Sequence, residues 1–166
     1  MIRVVIDDLA FLQADAVLRP ANDNLDPVSP DVSRMDIQGG EAFAAQRKTR
    51  SPLDVGAAVV TGGGDLPAKL VIHLVLQNAD TPVTRDVVRR ALVSAWQRAG
   101  DWQLATIAAP VVGTGPGQLS SDEAVRLMRD TFLERPVPES PAELVIVVEG
   151  EAEREAVETV VRSPAS

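Results

Sequence analysis

The residues best placed to do chemistry lie in one stretch, Ala108-Ala109-Pro110-Val111-Val112-Gly113-Thr114-Gly115-Pro116-Gly117-Gln118-Leu119-Ser120-Ser121-Asp122-Glu123. An apolar run ends in alternating glycines and passes into a helix start, with Glu123 three residues after Ser120, the spacing of a capping box. A strand that runs through glycines into a helix presents backbone N–H groups to an anion. The stretch predicts a phosphate-binding loop. It lacks the third glycine of the dinucleotide fingerprint, and no Lys-Ser or Lys-Thr follows, so it is not a Walker loop.

The composition narrows the chemistry. The chain has 166 residues, 24 acidic against 16 basic, and a formal charge of −8. Long nucleic acids are not expected partners, because their binding rests on Lys and Arg. A small phosphorylated ligand held by backbone amides remains open. With no cysteine and a single histidine, His73, thiolate chemistry and Cys-ligated zinc are excluded. No metal site and no cofactor are expected. His73 lies inside the strongest apolar run and reads as a core histidine. The N-terminus shows no signal peptide and no run approaches a membrane span, so a cytoplasmic protein without membrane contact is expected.

The elements that must position the loop follow from pattern. Ile2–Ile6 is a β-branched strand followed by Asp7 and Asp8. A second strand covers Asp15–Arg19 and stops at Pro20, and Ala21–Pro30 is a loop rich in turn formers. A short helix covers Gly39–Lys48. Strands cover Val55–Thr61 and Ala68–Leu76, around a glycine turn. Thr84–Ala99 is an amphipathic helix with Gly100 as its C′ residue. Leu104–Val112 is the strand that feeds the loop. Ser121–Leu133 is a helix, Leu144–Val148 the last strand, Glu151–Arg162 a C-terminal helix, and 163–166 a disordered tail. Residues 1–162 read as one domain. Alternating helices and apolar strands imply an α/β sandwich with a largely parallel or mixed sheet. Ligands of such sheets bind beyond the carboxyl ends of the strands, where the glycine loop, Asp7, Asp8 and the loop to Pro30 all lie.

Three stretches together resemble the macro domain family, whose members bind ADP-ribose and related nucleotides. Asp7-Asp8-Leu9-Ala10, followed by Asp15-Ala16-Val17-Leu18-Arg19-Pro20-Ala21-Asn22, is similar to the family's Gly-Asp-Ile-Thr and Asp-Ala-Ile-Val-Asn-Ala-Ala-Asn. Val59 to His73, with Leu66-Pro67-Ala68-Lys69 at its centre, is similar to a second family stretch. Ile107 to Gly115 is similar to a third, Ile-Ala-Phe-Pro-Ala-Ile-Ser-Thr-Gly. The resemblance implies a three-layer α/β/α sandwich around a mixed, largely parallel six-stranded sheet. It implies that Asp8 accepts the adenine amino group, that the Leu9 amide faces the adenine ring, and that Asn22 lies near the distal ribose. It assigns Gly113, Thr114, Gly115, Pro116 and Gly117 to the loop around the diphosphate. The expected ligand is ADP-ribose, a related adenine nucleotide or an ADP-ribosylated protein.

The departures are specific. Arg19 stands where the family has its first Asn. The glycine-rich loop that carries a catalytic Asp in hydrolytic members is replaced by Leu25 to Asp36, and Val148-Glu149-Gly150 stands where an aromatic would stack on adenine. Arg19 or Arg34 can replace the lost amides as a phosphate clamp. The alternatives to simple binding are an ADP-ribosyl or O-acetyl-ADP-ribose hydrolase whose acid is Asp26, Asp31 or Asp36, and a scaffold acting through protein contact, its cleft filled by Asp26 to Met35.

Overall fold

Six strands form one sheet in the order β1-β6-β5-β2-β4-β3. In chain order they are β1 (Ile2–Ile6), β2 (Ala16–Asn22), β3 (Ala58–Gly62), β4 (Leu70–Gln77), β5 (Thr106–Ala109) and β6 (Glu143–Val148). The helices are α1 (Pro30–Gln46), α2 (Arg85–Asp101), α3 (Ser121–Leu133) and α4 (Glu151–Arg162). The computed structural model describes residues 1–164, so the expected tail lies partly outside the described residues. Within it, Ser163 accepts two hydrogen bonds from buried Arg129. No helix among the described residues is long and apolar enough to cross a membrane.

All pairings are parallel except β3 with β4 at one edge. The alternation of side chains along the strands builds two cores, one on each face. Leu18, Ile72, Leu74 and Ile146 face α2, α3 and α4 in the larger core, with Trp96 and Phe132. Val17, Val71, Ala108 and Val145 face the other way, onto Met35 and Phe43 of α1. This is the expected three-layer mixed sandwich.

Four local expectations need correction. First, β2 does not stop at Pro20 but runs to Asn22. Proline lacks a donor, yet β5 pairs with β2 only at Ala16 and Val17. Pro20 therefore sits where one flank of β2 is already unpaired. Second, α1 begins at Pro30, nine residues before the expected helix. The proline takes the first helical position, where its missing N–H costs nothing. Val32, Met35, Asp36, Gly39 and Phe43 supply the buried face at helical spacing. Gly40, at φ 69°, breaks the helix into two segments. Third, Gly100 lies inside α2, and Gln103 adopts the left-handed conformation at φ 54°. Fourth, the strand expected over Leu104–Val112 is only Thr106–Ala109, because Pro110 ends it and turns the chain into the glycine loop.

Candidate functional site

A cleft opens over the carboxyl ends of β2, β5 and β6, as the topology of a parallel sheet requires. It has two adjoining cavities, of about 320 Å³ and 480 Å³. Both are walled by Asp31 and Arg34 of α1, Pro110, Val147 and Glu149. The first extends to Ser29, Gln77, Gly113, Thr114 and Gln118. The second extends to Ile6, Asp7, Asp8 and Leu9. Each volume falls within the range of small-molecule sites.

The glycine loop forms one wall. Gly113 has φ 85°, and a Cβ there would lie 2.8 Å from Val88 Cγ2, so only glycine fits. The loop closes on itself through Leu119 N–H to Gly113 O at 3.1 Å and Gln118 N–H to Gly115 O at 3.0 Å. The amides of Gly113 and Thr114 have no acceptor among the described residues. Two unpaired donors on a cavity wall are what an anion needs. Beyond the loop, the Ser120 hydroxyl caps α3 by accepting from Glu123 N–H at 3.2 Å. Gly115, Pro116 and Gly117 lie outside the cavity wall.

The second wall is the start of α1. Arg34 extends into the junction of the two cavities. Its Nη2 donates to Glu149 Oε1 at 2.6 Å. That hydrogen bond is the main cause that raises the Arg34 pKa above its ordinary value, and Asp8 and Asp31 add to it through charge. Asp31 lines both cavities, accepts from its own neighbour Val32 N–H at 3.0 Å, and takes the Ser29 hydroxyl. Asp8 is exposed at the end of β1, where its Oδ1 accepts from Ala10 N–H at 2.9 Å. Leu9 is nearly buried beside it. The charged residues of the cleft are thus five carboxylates (Asp7, Asp8, Asp31, Glu149 and Glu153) and one cation, Arg34.

Arg19 is no clamp. It is fully buried, and its guanidinium points away from the cleft onto α1. Nε and Nη2 donate to the two oxygens of Asp36 at 2.8 and 2.7 Å. Arg47 approaches the same carboxylate at 3.3 Å. Arg19 Nη1 lies 3.3 Å from His73 Nδ1, and Thr61 Oγ1 lies 2.7 Å from His73 Nε2. Phe43 stacks on the His73 ring with centroids 5.9 Å apart. Burial first, then the charges of Arg19 and Arg47, lower the His73 pKa to about 3. His73 is therefore a neutral core histidine with both ring nitrogens in contact. Asp36 is unavailable as a catalytic acid for the same reason that Arg19 is unavailable as a clamp: each neutralises the other.

Asn22 is turned to a structural task. Its Oδ1 accepts from Asn24 N–H and Asp26 N–H at 2.9 and 3.0 Å, and its Nδ2 donates to Asp26 Oδ2 at 3.2 Å. It thereby shapes the turn before Pro27 and does not line either cavity. Gln118, Ser29 and Glu153 also line the first cavity, although they were not among the expected site residues. The Ser29-Pro30 pair was the available signal for the first turn of α1; nothing local marked Glu149 as the partner of Arg34.

The macro domain family profile matches residues 34–128. An uncharacterised protein of Mycobacterium tuberculosis is 27% identical over 156 residues, covering 94% of this chain and 43% of that protein. The chain thus spans less than half the length of the mycobacterial relative. An uncharacterised protein of Aquifex aeolicus is 30% identical over 131 residues, with 76% and 78% covered. Among solved structures, the Trypanosoma brucei macrodomain in complex with ADP-ribose superposes with a TM-score of 0.80 at 22% identity, covering 96% of this chain and 68% of that one. The profile match, reaching from Arg34 through the glycine loop and across more than half of the sequence, makes this chain a member of the macro domain family.

Proposed function

We propose that the cleft binds ADP-ribose or a closely related adenine nucleotide, free or carried on a protein, and that residues 1–162 act as the binding unit. The observation that carries this reading is that Gly113 and Thr114, whose amides have no acceptor among the described residues, line the same cavity as Arg34. A diphosphate is the ligand chemistry that uses neutral donors and one cation together. In this reading Asp8 accepts the adenine amino group and the Leu9 amide faces the ring. Gly113 and Thr114 hold the diphosphate from the cavity wall, and Arg34 takes over the clamp role from a missing glycine loop. The ADP-ribose in the trypanosomal relative supports the ligand class. Asp26 to Met35 does not fill the cleft: Val28, Ser29, Pro30, Asp31 and Arg34 form a wall of an open cavity. Calorimetry with ADP-ribose on the wild type and Asp8→Ala tests the reading. Saturable heat that weakens at least tenfold in the variant is expected. Absent heat, or identical affinity in both proteins, overturns it.

A second reading, hydrolysis of an ADP-ribosyl bond, is favoured by one observation. Of the three candidate acids, only Asp31 lines the cavities; Asp26 is bonded to Asn22 and Asp36 to Arg19. Asp31→Asn then abolishes release of label from an ADP-ribosylated protein while leaving ADP-ribose binding intact. No turnover by the wild type on a broad substrate panel removes this reading.

A further inference from the structure

We propose that Glu149 is a built-in competitor for the anion site, so that a ligand diphosphate binds by displacing its carboxylate from Arg34. The inference rests on the binding reading above and adds a specificity-determining residue to it. Arg34 stands on α1 and Glu149 in the turn between β6 and α4, so their bond ties the two walls of the cleft together. It does so at the junction of the two cavities, both of which the pair lines. A ligand that spans the cleft has to pass this point.

The pair is built to open. The side chains are 54% and 69% exposed, so solvent rather than packing surrounds them. An exposed ion pair is worth little, and its opening costs correspondingly little. Arg34 is also the only cation among the charged residues lining the two cavities. A ligand anion therefore has no second positive partner to choose. Sharing Arg34 with Glu149 is disfavoured, because two like charges a few ångströms apart repel by about 1 kcal/mol even in water.

The competition selects by charge. A ligand carrying a single negative charge only replaces one charge with another at Arg34. A diphosphate brings a second anionic group, which reaches the free amides of Gly113 and Thr114. Glu149 thus sets a threshold that favours diphosphates. The apparent affinity of the wild type is the intrinsic affinity reduced by the fraction of molecules with Arg34 free.

The test is calorimetry on the wild type, E149Q, R34Q and R34Q/E149Q, with ADP-ribose and with inorganic pyrophosphate. E149Q keeps the shape and removes the charge. It is expected to tighten both ligands about fivefold, the ceiling for an exposed pair. The gain should vanish in the R34Q background, since the two residues act as one unit. Unchanged or weaker binding by E149Q overturns the proposal, as does an equal gain without Arg34. If pyrophosphate shows the coupled gain while ADP-ribose fails to bind, the nucleotide reading falls and the competition stands. If ADP-ribose binds the wild type and E149Q equally, the competition falls alone. Silence of both ligands on all four proteins overturns both.

Discussion

Arg19 and Asp36 meet face to face through two parallel hydrogen bonds of 2.8 and 2.7 Å, with the arginine wholly removed from solvent. This pair fixes α1 to β2, and through α1 it fixes the wall that carries Asp31 and Arg34. The charge that the sequence offered as a ligand clamp is instead the clamp of the fold.

Breaking one half of this pair leaves the other charge buried, which costs about 3–5 kcal/mol. Asp36→Ala is expected to lose that much in denaturant unfolding, because Arg19 and Arg47 both lose their carboxylate. A loss below 1 kcal/mol contradicts the assignment.

His73 gives a second, independent reading of the same cluster. Its folded-state pKa is lowered to about 3. The unfolded chain then binds more protons than the folded one between about pH 3 and the ordinary histidine value, so stability falls as pH drops through that window. The limiting slope is about 1.4 kcal/mol per pH unit. Because His73 is the sole histidine, its ring resonances are unambiguous in proton NMR. They should not titrate between pH 5 and 8, and an inflection near 6.5 contradicts the buried neutral ring. His73→Gln is expected to flatten the acid limb of the stability curve between pH 6 and 4.

The glycine loop makes a graded prediction. Gly113 combines φ 85° with a contact of 2.8 Å from an added Cβ to Val88, whereas Gly117, at φ 74°, has open space around it. Gly117→Ala therefore carries only the backbone strain, about 1 kcal/mol. Gly113→Ala carries the strain and a clash with the larger core, and should cost about 2–3 kcal/mol. Equal losses in the two variants contradict the packing described for Gly113.

Much of this was legible in the chain. The strands Ile2–Ile6 and Leu144–Val148 and the helices Ser121–Leu133 and Glu151–Arg162 carry periodic patterns with clear ends, and they lie within one residue of expectation. The start of α1 was hidden because Asp23 to Pro30 is dense in turn formers, and turn chemistry continues up to the helix cap. Ser29-Pro30 is a helix-start signal embedded in that turn chemistry, and the tertiary burial of Val32 and Met35 is what distinguishes it from one more turn. The separate fates of Arg19 and Arg34 were not legible at all. Both are arginines near the same sheet end. What divides them is the alternation of β2, which aims Arg19 into the α1 core, and the outer face of α1, which leaves Arg34 over the cleft. Asn22 illustrates the same limit: its side chain is taken up by the amides of Asn24 and Asp26, two contacts that depend on how the turn closes.

The central claim is that the free amides of Gly113 and Thr114 and the guanidinium of Arg34 hold a diphosphate. An amide-resolved NMR titration with ADP-ribose tests it most directly. The Gly113 and Thr114 amide protons and the Arg34 Nε proton should shift together and saturate at one ligand per chain, with the Asp8 and Leu9 amides following the same curve. Saturable shifts that leave Gly113, Thr114 and Arg34 unmoved, or no shifts at millimolar ligand, would contradict it.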